Sequence, residues 1–121
     1  MSSKKSSPIP ADKIALYEKL LATHPEIERK GAANLYTSLN GNMFSLLQSP
    51  EGRMALRLPK GERERFLEKY KTTLFEAYGA VMTEYVAVPE ALLRKTKELS
   101  KYLGISYEYA KTLRPKPTKK R

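Results

Sequence analysis

Asn34-Leu-Tyr-Thr-Ser-Leu39, Asn40-Gly41, Asn42-Met-Phe-Ser-Leu-Leu47 and, past Ser49-Pro-Glu-Gly52, Arg53-Met-Ala-Leu-Arg-Leu-Pro59 make up the stretch that decides the fold. Asn-Gly between two runs of alternating apolar and polar residues predicts a β-hairpin closed by a type I′ turn. Both central positions of that turn need positive φ, which these residues adopt at low cost. With Asn40 and Gly41 as the loop residues, Leu39 faces Asn42, Thr37 faces Phe44 and Leu35 faces Leu46. Leu35, Leu39, Phe44 and Leu46 are therefore expected on one buried face. A turn around Gln48 to Gly52 adds a third strand, in which Met54, Leu56 and Leu58 alternate with Arg53 and Arg57. The expected product is a three-stranded meander with one apolar side for helices to cover.

Working outward, Ile14, Tyr17, Leu20 and Leu21 recur at helical spacing and predict a helix from Ala11 to about Thr23, because Pro25 disfavours helical geometry at His24. Residues 1–10 carry almost nothing to bury and are expected to be a disordered tail. Past Leu58, Pro59 and Gly61 open a charged helix through Tyr70, with Phe66, Leu67 and Tyr70 as its apolar edge. Its surface ion pairs contribute only about 0.2–0.5 kcal/mol each, so docking through Phe66 and Tyr70 must hold it. Thr72 to Glu76 and Val81 to Val88 read as two more strands about a Tyr78-Gly79 turn. From Pro89, Leu92, Thr96, Leu99, Leu103, Ser106, Ala110 and Leu113 keep one helical stripe across Gly104, as one helix or two nearly collinear pieces.

Composition narrows the function classes. A chain of 121 residues with 40% apolar content is one domain with one modest core. No apolar run approaches the ~20 residues of a spanning helix and no signal-peptide segment opens the chain, so a cytoplasmic location is expected. Without cysteine there is no disulfide, thiolate nucleophile or Cys-based zinc site. The single histidine, His24, has no second ligand at metal spacing and reads as a loop residue beside a helix end; neither a metal nor a cofactor is expected. The net charge is +10, but Lys4, Lys5, Lys111, Arg114, Lys116, Lys119, Lys120 and Arg121 supply eight of it, leaving residues 8–110 nearly balanced. Composition thus indicates basic tails, which suit loose contacts to phosphates or simple solubility, and no basic groove on the domain.

One position suggests chemistry. If Met82, Val86 and Val88 face inward, period-two alternation puts Glu84 with them, and a buried carboxylate needs a partner or a raised pKa; Arg57 on another strand is the candidate for a buried ion pair. If instead Val81, Tyr85 and Ala87 make the buried face, Glu84 is solvated. The tyrosines Tyr102, Tyr107 and Tyr109 interleave with lysines in the last helix; stacking on nucleic-acid bases is one reading, packing on the sheet the simpler one.

Asn40-Gly-Asn-Met-Phe44, Arg57-Leu-Pro59, Glu84-Tyr-Val86 with Val88-Pro89, and Ser106-Tyr-Glu-Tyr-Ala110 leading to Pro115-Lys-Pro-Thr-Lys-Lys120 resemble the small bacterial proteins grouped as TfoX/Sxy N-terminal-domain-like, which share the YjbR or MmcQ type of fold. The likeness runs from Ile14 to the basic end. It implies an α+β domain over residues 11–113, with an antiparallel sheet of about five strands packed by N- and C-terminal helices in the order α-β-β-β-α-β-β-α, followed by a basic tail from 114 to 121. For function the resemblance implies little, and the first reading is a non-enzymatic binding module, a transcription-regulatory accessory protein contacting DNA or a regulator. Lys116, Lys119, Lys120 and Arg121, with Arg53 and Arg63 on the domain, are then the expected phosphate contacts. The alternative is a protein-interaction adaptor that meets its partner through the outer hairpin face, Tyr36, Ser38, Met43 and Ser45. An enzyme centred on Glu84 is the third reading, with no nucleophile–base pair, Gly-rich phosphate loop or metal cluster beside it.

Overall fold

In the computed structural model, which describes residues 8–115, the chain runs α1 (Ala11–Leu21), β1 (Leu35–Leu39), β2 (Asn42–Gln48), β3 (Arg53–Arg57), α2 (Lys60–Tyr70), β4 (Leu74–Ala77), β5 (Ala80–Val88), α3 (Glu90–Leu93) and α4 (Thr96–Thr112). The protein is α+β, with one antiparallel sheet ordered β1-β2-β3-β5-β4. Asn40 and Gly41 take φ of 54° and 80°, the two positive angles a type I′ turn requires. Tyr78 and Gly79 repeat the device at 56° and 78° between β4 and β5. The last stripe is interrupted at Arg94 and Lys95 rather than at Gly104, which gives the short α3 before α4.

The hairpin register departs from the expected one at a single residue. Leu39 pairs with Asn42 and Ser38 with Met43, but Thr37 then pairs with Ser45, Tyr36 with Leu46 and Leu35 with Leu47, so Phe44 is an extra residue in β2. This is a β-bulge, and it puts two successive side chains on the helix side. Phe44 is 1% exposed, with its ring 5.6 Å from that of Tyr107. Ser45 Oγ lies 2.6 Å from both Tyr17 Oη and Thr37 Oγ1 in a buried polar triad. Beyond the bulge the alternation inverts. Leu47 enters the main core, and Leu46, expected there, packs on the opposite face. Ser45, expected on the outer face, is buried under α1. At the bulge, Ser106 Oγ on α4 donates to the Phe44 carbonyl at 3.0 Å.

Two apolar clusters therefore flank the sheet. On one face Tyr17, Leu20, Leu47, Leu56, Leu58, Phe66, Leu99 and Leu103 pack under the helices. Ile9 joins them at 3% exposure, so the part of the expected N-terminal tail nearest α1 is core, seated against Gly52, whose φ of +79° and missing Cβ admit it. On the other face Leu46, Ala55, Phe75 and Ala77 cluster with Tyr36, Met43, Met82, Tyr85 and Ala87. The sheet closes on this cluster itself. β4 pairs Leu74 with Val86 but Phe75 with Met82, so Thr83, Glu84 and Tyr85 of β5 have no partners on β4 and the sheet bends there. Arg53 caps Phe75, its guanidinium 4.7 Å from the ring centroid, and Asn34 Nδ2 reaches Tyr78 Oη at 3.4 Å, linking the two edges of the sheet.

Ser106→Ala tests the bulge. Alanine has the higher helix propensity by up to ~0.5 kcal/mol, yet it leaves a buried carbonyl unpaired at a cost of about 1–3 kcal/mol. Urea unfolding is expected to show a net loss of about 1–2 kcal/mol; an unchanged or raised midpoint would mean that the Ser106 hydroxyl does not hold the bulge.

Candidate functional site

The predicted pairing of Arg57 with Glu84 is made. Arg57 Nε donates to Glu84 Oε1 at 2.7 Å and Nη2 lies at the same distance from that oxygen, Nη1 reaches the Met43 carbonyl at 3.4 Å, and the guanidinium lies 5.4 Å from the Tyr85 ring centroid. Tyr85 Oη donates to the same Met43 carbonyl at 2.7 Å. Arg57 thus ties β2, β3 and β5 together where β5 leaves β4. The Glu84 side chain is 36% exposed, so the pair sits at the surface of the clamp rather than in the core. Neither facing expected for β5 holds throughout: Val86 and Val88 enter the helix-side core, whereas Met82, Tyr85 and Ala87 join the opposite cluster, because the bend at Thr83–Tyr85 intervenes. Burial alone would raise the Glu84 pKa, but the hydrogen bond and charge of Arg57 outweigh it and hold the carboxyl below its usual value. Tyr109 on α4 stands beside Glu84; burial and then that carboxylate push its hydroxyl up.

Arg53 and Arg63 both have structural partners. Besides capping Phe75, Arg53 donates through Nη2 to Gln48 Oε1 at 2.9 Å and to the Glu76 carbonyl at 2.7 Å. Arg63 donates to the carbonyls of Leu58 and Thr83, each at 3.2 Å. The two lie at opposite ends of β3 and do not share a surface. Lys116, Lys119, Lys120 and Arg121 fall outside the described residues; the chain leading to them is anchored where Asn42 Nδ2 donates to the Arg114 carbonyl at 3.0 Å, next to the Asn40-Gly41 turn. On the outer hairpin face, Tyr36 and Met43 are half-buried in the second cluster. The tyrosines of α4 follow the packing reading: Tyr102 meets Phe66 edge-on at 5.0 Å, and Tyr107 packs on Phe44. His24 sits at the end of α1 with Nε2 3.0 Å from the Ser100 carbonyl and its ring against Gly104, docking α1 onto α4. Among the described residues no group of His, Asp and Glu is arranged to hold a metal ion.

A basic cleft that composition hid opens at one end of the molecule. The C-terminal ends of α1 and α2 and the start of α4 surround an open space of about 1200 Å³, lined by Lys19, Lys69, Arg94, Lys95, Lys97 and Lys101. Arg94 is ion-paired with Glu90 at 3.0 Å and Asp12 at 3.6 Å, but none of the five lysines makes a salt bridge among the described residues. Lys71 lies beside Lys69 and Lys95 in an adjoining hollow and is likewise unpaired. Elsewhere several cations are engaged, Lys13 with Glu90, Arg29 with Glu18, Arg65 with Glu62 and Lys111 with Glu108, while Lys30 and Lys60 stand apart from one another without a salt bridge among the described residues. The nearly neutral balance of the domain thus conceals a segregation. Five lysines without salt bridges gather at this end, which three separate stretches of sequence build together. The first turn of α4 lies in the same cleft with no side chain capping it, and Thr96 Oγ1 there is a buried hydroxyl without a hydrogen-bond partner.

The clamp has a pH signature. Because the native pKa of Glu84 is depressed, its stabilisation is full above the ordinary value of 4.5 and is lost as pH falls through the native pKa. Glu84→Gln is expected to lower stability at pH 7 by no more than about 1 kcal/mol, solvent screening at so exposed a carboxylate keeping it small. The difference from wild type should vanish in urea titrations toward pH 3; one that stays constant from pH 7 to pH 3 would mean that the charge of Glu84 contributes nothing.

No family model matches this chain, and no curated protein matches it at a significant level.

Proposed function

We propose that this chain is a non-enzymatic binding module that takes the phosphate backbone of duplex DNA in the cleft between α1, α2 and α4. The observation that carries this reading is the gathering of Lys19, Lys69, Lys95, Lys97 and Lys101, all without salt bridges, around one open space. Like charges held together repel one another, and a polyanion relieves that repulsion while releasing its own counterions. Lysine ammonium groups are compact point charges, suited to phosphates rather than to bidentate contacts with base edges. Arg94, the residue of the cleft able to make such a contact, is already paired with two carboxylates. The aromatic rings nearby, Phe66, Tyr70 and Tyr102, pack on one another rather than stand free for bases to stack on, which favours a duplex over a single strand. Binding is accordingly salt-steep and largely indifferent to sequence. The likeness to TfoX N-terminal-like proteins makes an accessory role in transcription the natural setting.

Fluorescence anisotropy of a labelled duplex with the full chain tests this. Lys97→Glu with Lys101→Glu is expected to weaken binding at least about tenfold and to reduce the slope of log affinity against log salt by about 2, at roughly 0.9 per phosphate contact. Lys60→Glu, at the far end of α2, should change affinity much less. Equal losses from the two substitutions, or no binding by the wild type, would move the search to protein partners, with the exposed Tyr78 and Val81 of the β4–β5 turn as the first surface to test.

A further inference from the structure

We propose that the Glu98 carboxylate is the cleft's resident counter-anion, held in place by Tyr70, and that a phosphate group binds by competing with it. This rests on the cleft being an anion site, and it names the residue that sets the affinity of that site.

Glu98 is the single acidic side chain lining the cleft. It stands in the first turn of α4, where the helix dipole favours a negative charge. Its orientation is imposed from α2: Tyr70 Oη donates to Glu98 Oε2, and Tyr102 Oη lies 3.4 Å from Tyr70 Oη. The tyrosine rings have little freedom, since Phe66, Tyr70 and Tyr102 form a triangle with centroids 4.7, 5.0 and 5.8 Å apart. The hydroxyl is therefore presented to the carboxylate by a packed aromatic cluster rather than by a mobile surface group. The Tyr70 hydrogen bond first, and then Lys95, Lys69 and Lys101, hold the Glu98 carboxyl below its ordinary pKa, so it is ionised at neutral pH.

Despite those three cations, Glu98 makes no salt bridge with any of them, so it offsets their field without occupying their donors. A phosphate entering the cleft meets lysines free to donate and the uncapped first turn of α4. It also meets one fixed negative charge among them. Two anions beside the same lysines repel each other, so Glu98 must lower the affinity of the site for every phosphate ligand. A fixed acid inside a basic cleft also discriminates: a ligand able to engage several lysines at once overcomes it, and a lone monoanion does not.

Amide chemical shifts of the isotopically labelled full chain, followed during titration with inorganic triphosphate, test the inference. The comparison is between wild type, Glu98→Gln and Glu108→Gln; the last makes the same change in net charge at Glu108, which is paired with Lys111 toward the other end of α4. Glutamine at 98 still accepts the Tyr70 hydrogen bond, and a thermal melt confirms that each variant is folded. The expected result is that the Thr96 and Lys97 amides shift and that Glu98→Gln binds about three- to tenfold tighter, with Glu108→Gln changing affinity less than about twofold, as a local rather than a net-charge effect requires. Equal effects of the two substitutions, weaker binding by Glu98→Gln, or shifts confined to residues outside the cleft would each overturn it. The two readings fail separately. Tighter triphosphate binding by Glu98→Gln with no duplex binding would leave the counter-anion standing and remove DNA, whereas duplex binding lost in the Lys97/Lys101 variant with Glu98→Gln behaving like Glu108→Gln would do the reverse.

Discussion

The hydrogen bond from Ser106 Oγ to the Phe44 carbonyl is the contact on which the arrangement of the sheet depends. A bulge in β2 disrupts the ladder locally under a packed helix, where an unpaired polar group costs free energy comparable to a lost hydrogen bond. A serine in the buried stripe of α4 satisfies the Phe44 carbonyl, and the bulge can then carry Phe44 and Ser45 to the same side. Ser45 completes the triad with Tyr17 and Thr37, which fixes α1 over the hairpin. One extra residue in β2 thus determines which apolar side chains lie under the helices and which lie on the opposite face.

Leu46 is the clearest consequence. Sent to the face that no helix covers, it would be exposed on a flat sheet, and it is buried because the sheet bends over it. The bend lies at Thr83–Tyr85, and the clamp of Arg57 on Glu84 and on the Met43 carbonyl holds it. Arg53 closes the other end through Phe75 and the Glu76 carbonyl. Arginines serve here because a planar guanidinium stacks on a ring and presents several donors in a fixed fork. The arginines of the sheet are in this way committed to its shape.

The lysines are left over, and they are not spread evenly. The ends of α1 and α2 and the start of α4 meet at one corner, each bringing lysines without salt bridges. A surface almost neutral in total therefore carries an uncompensated field at one place, with Glu98 the one acid set into it and held there by Tyr70. Phe66 links this corner to the core, since the ring that docks α2 is also the one that positions the two tyrosines.

The sequence by itself determined what depends on neighbours along the chain. Asn40-Gly41 and the alternation on either side specified the hairpin, the spacing from Leu92 to Ala110 specified a buried helical stripe, and Arg57 with Glu84 was legible as a pair because each stood out in its own strand. Local rules carry that information, since turn conformation and side-chain period are properties of a few consecutive residues. Tertiary structure decided the rest. The bulge at Phe44 could not be read in advance because its cause, Ser106, lies 62 residues away and within a stripe where a buried serine looks like any small core residue. The inward place of Ile9 needed Gly52, and the roles of Arg53 and Arg63 needed carbonyls on other strands. The basic cleft was hidden for the same reason. Charge composition adds residues without regard to position, whereas a binding field depends on which charges are paired, and only the packing of α1, α2 and α4 decides that.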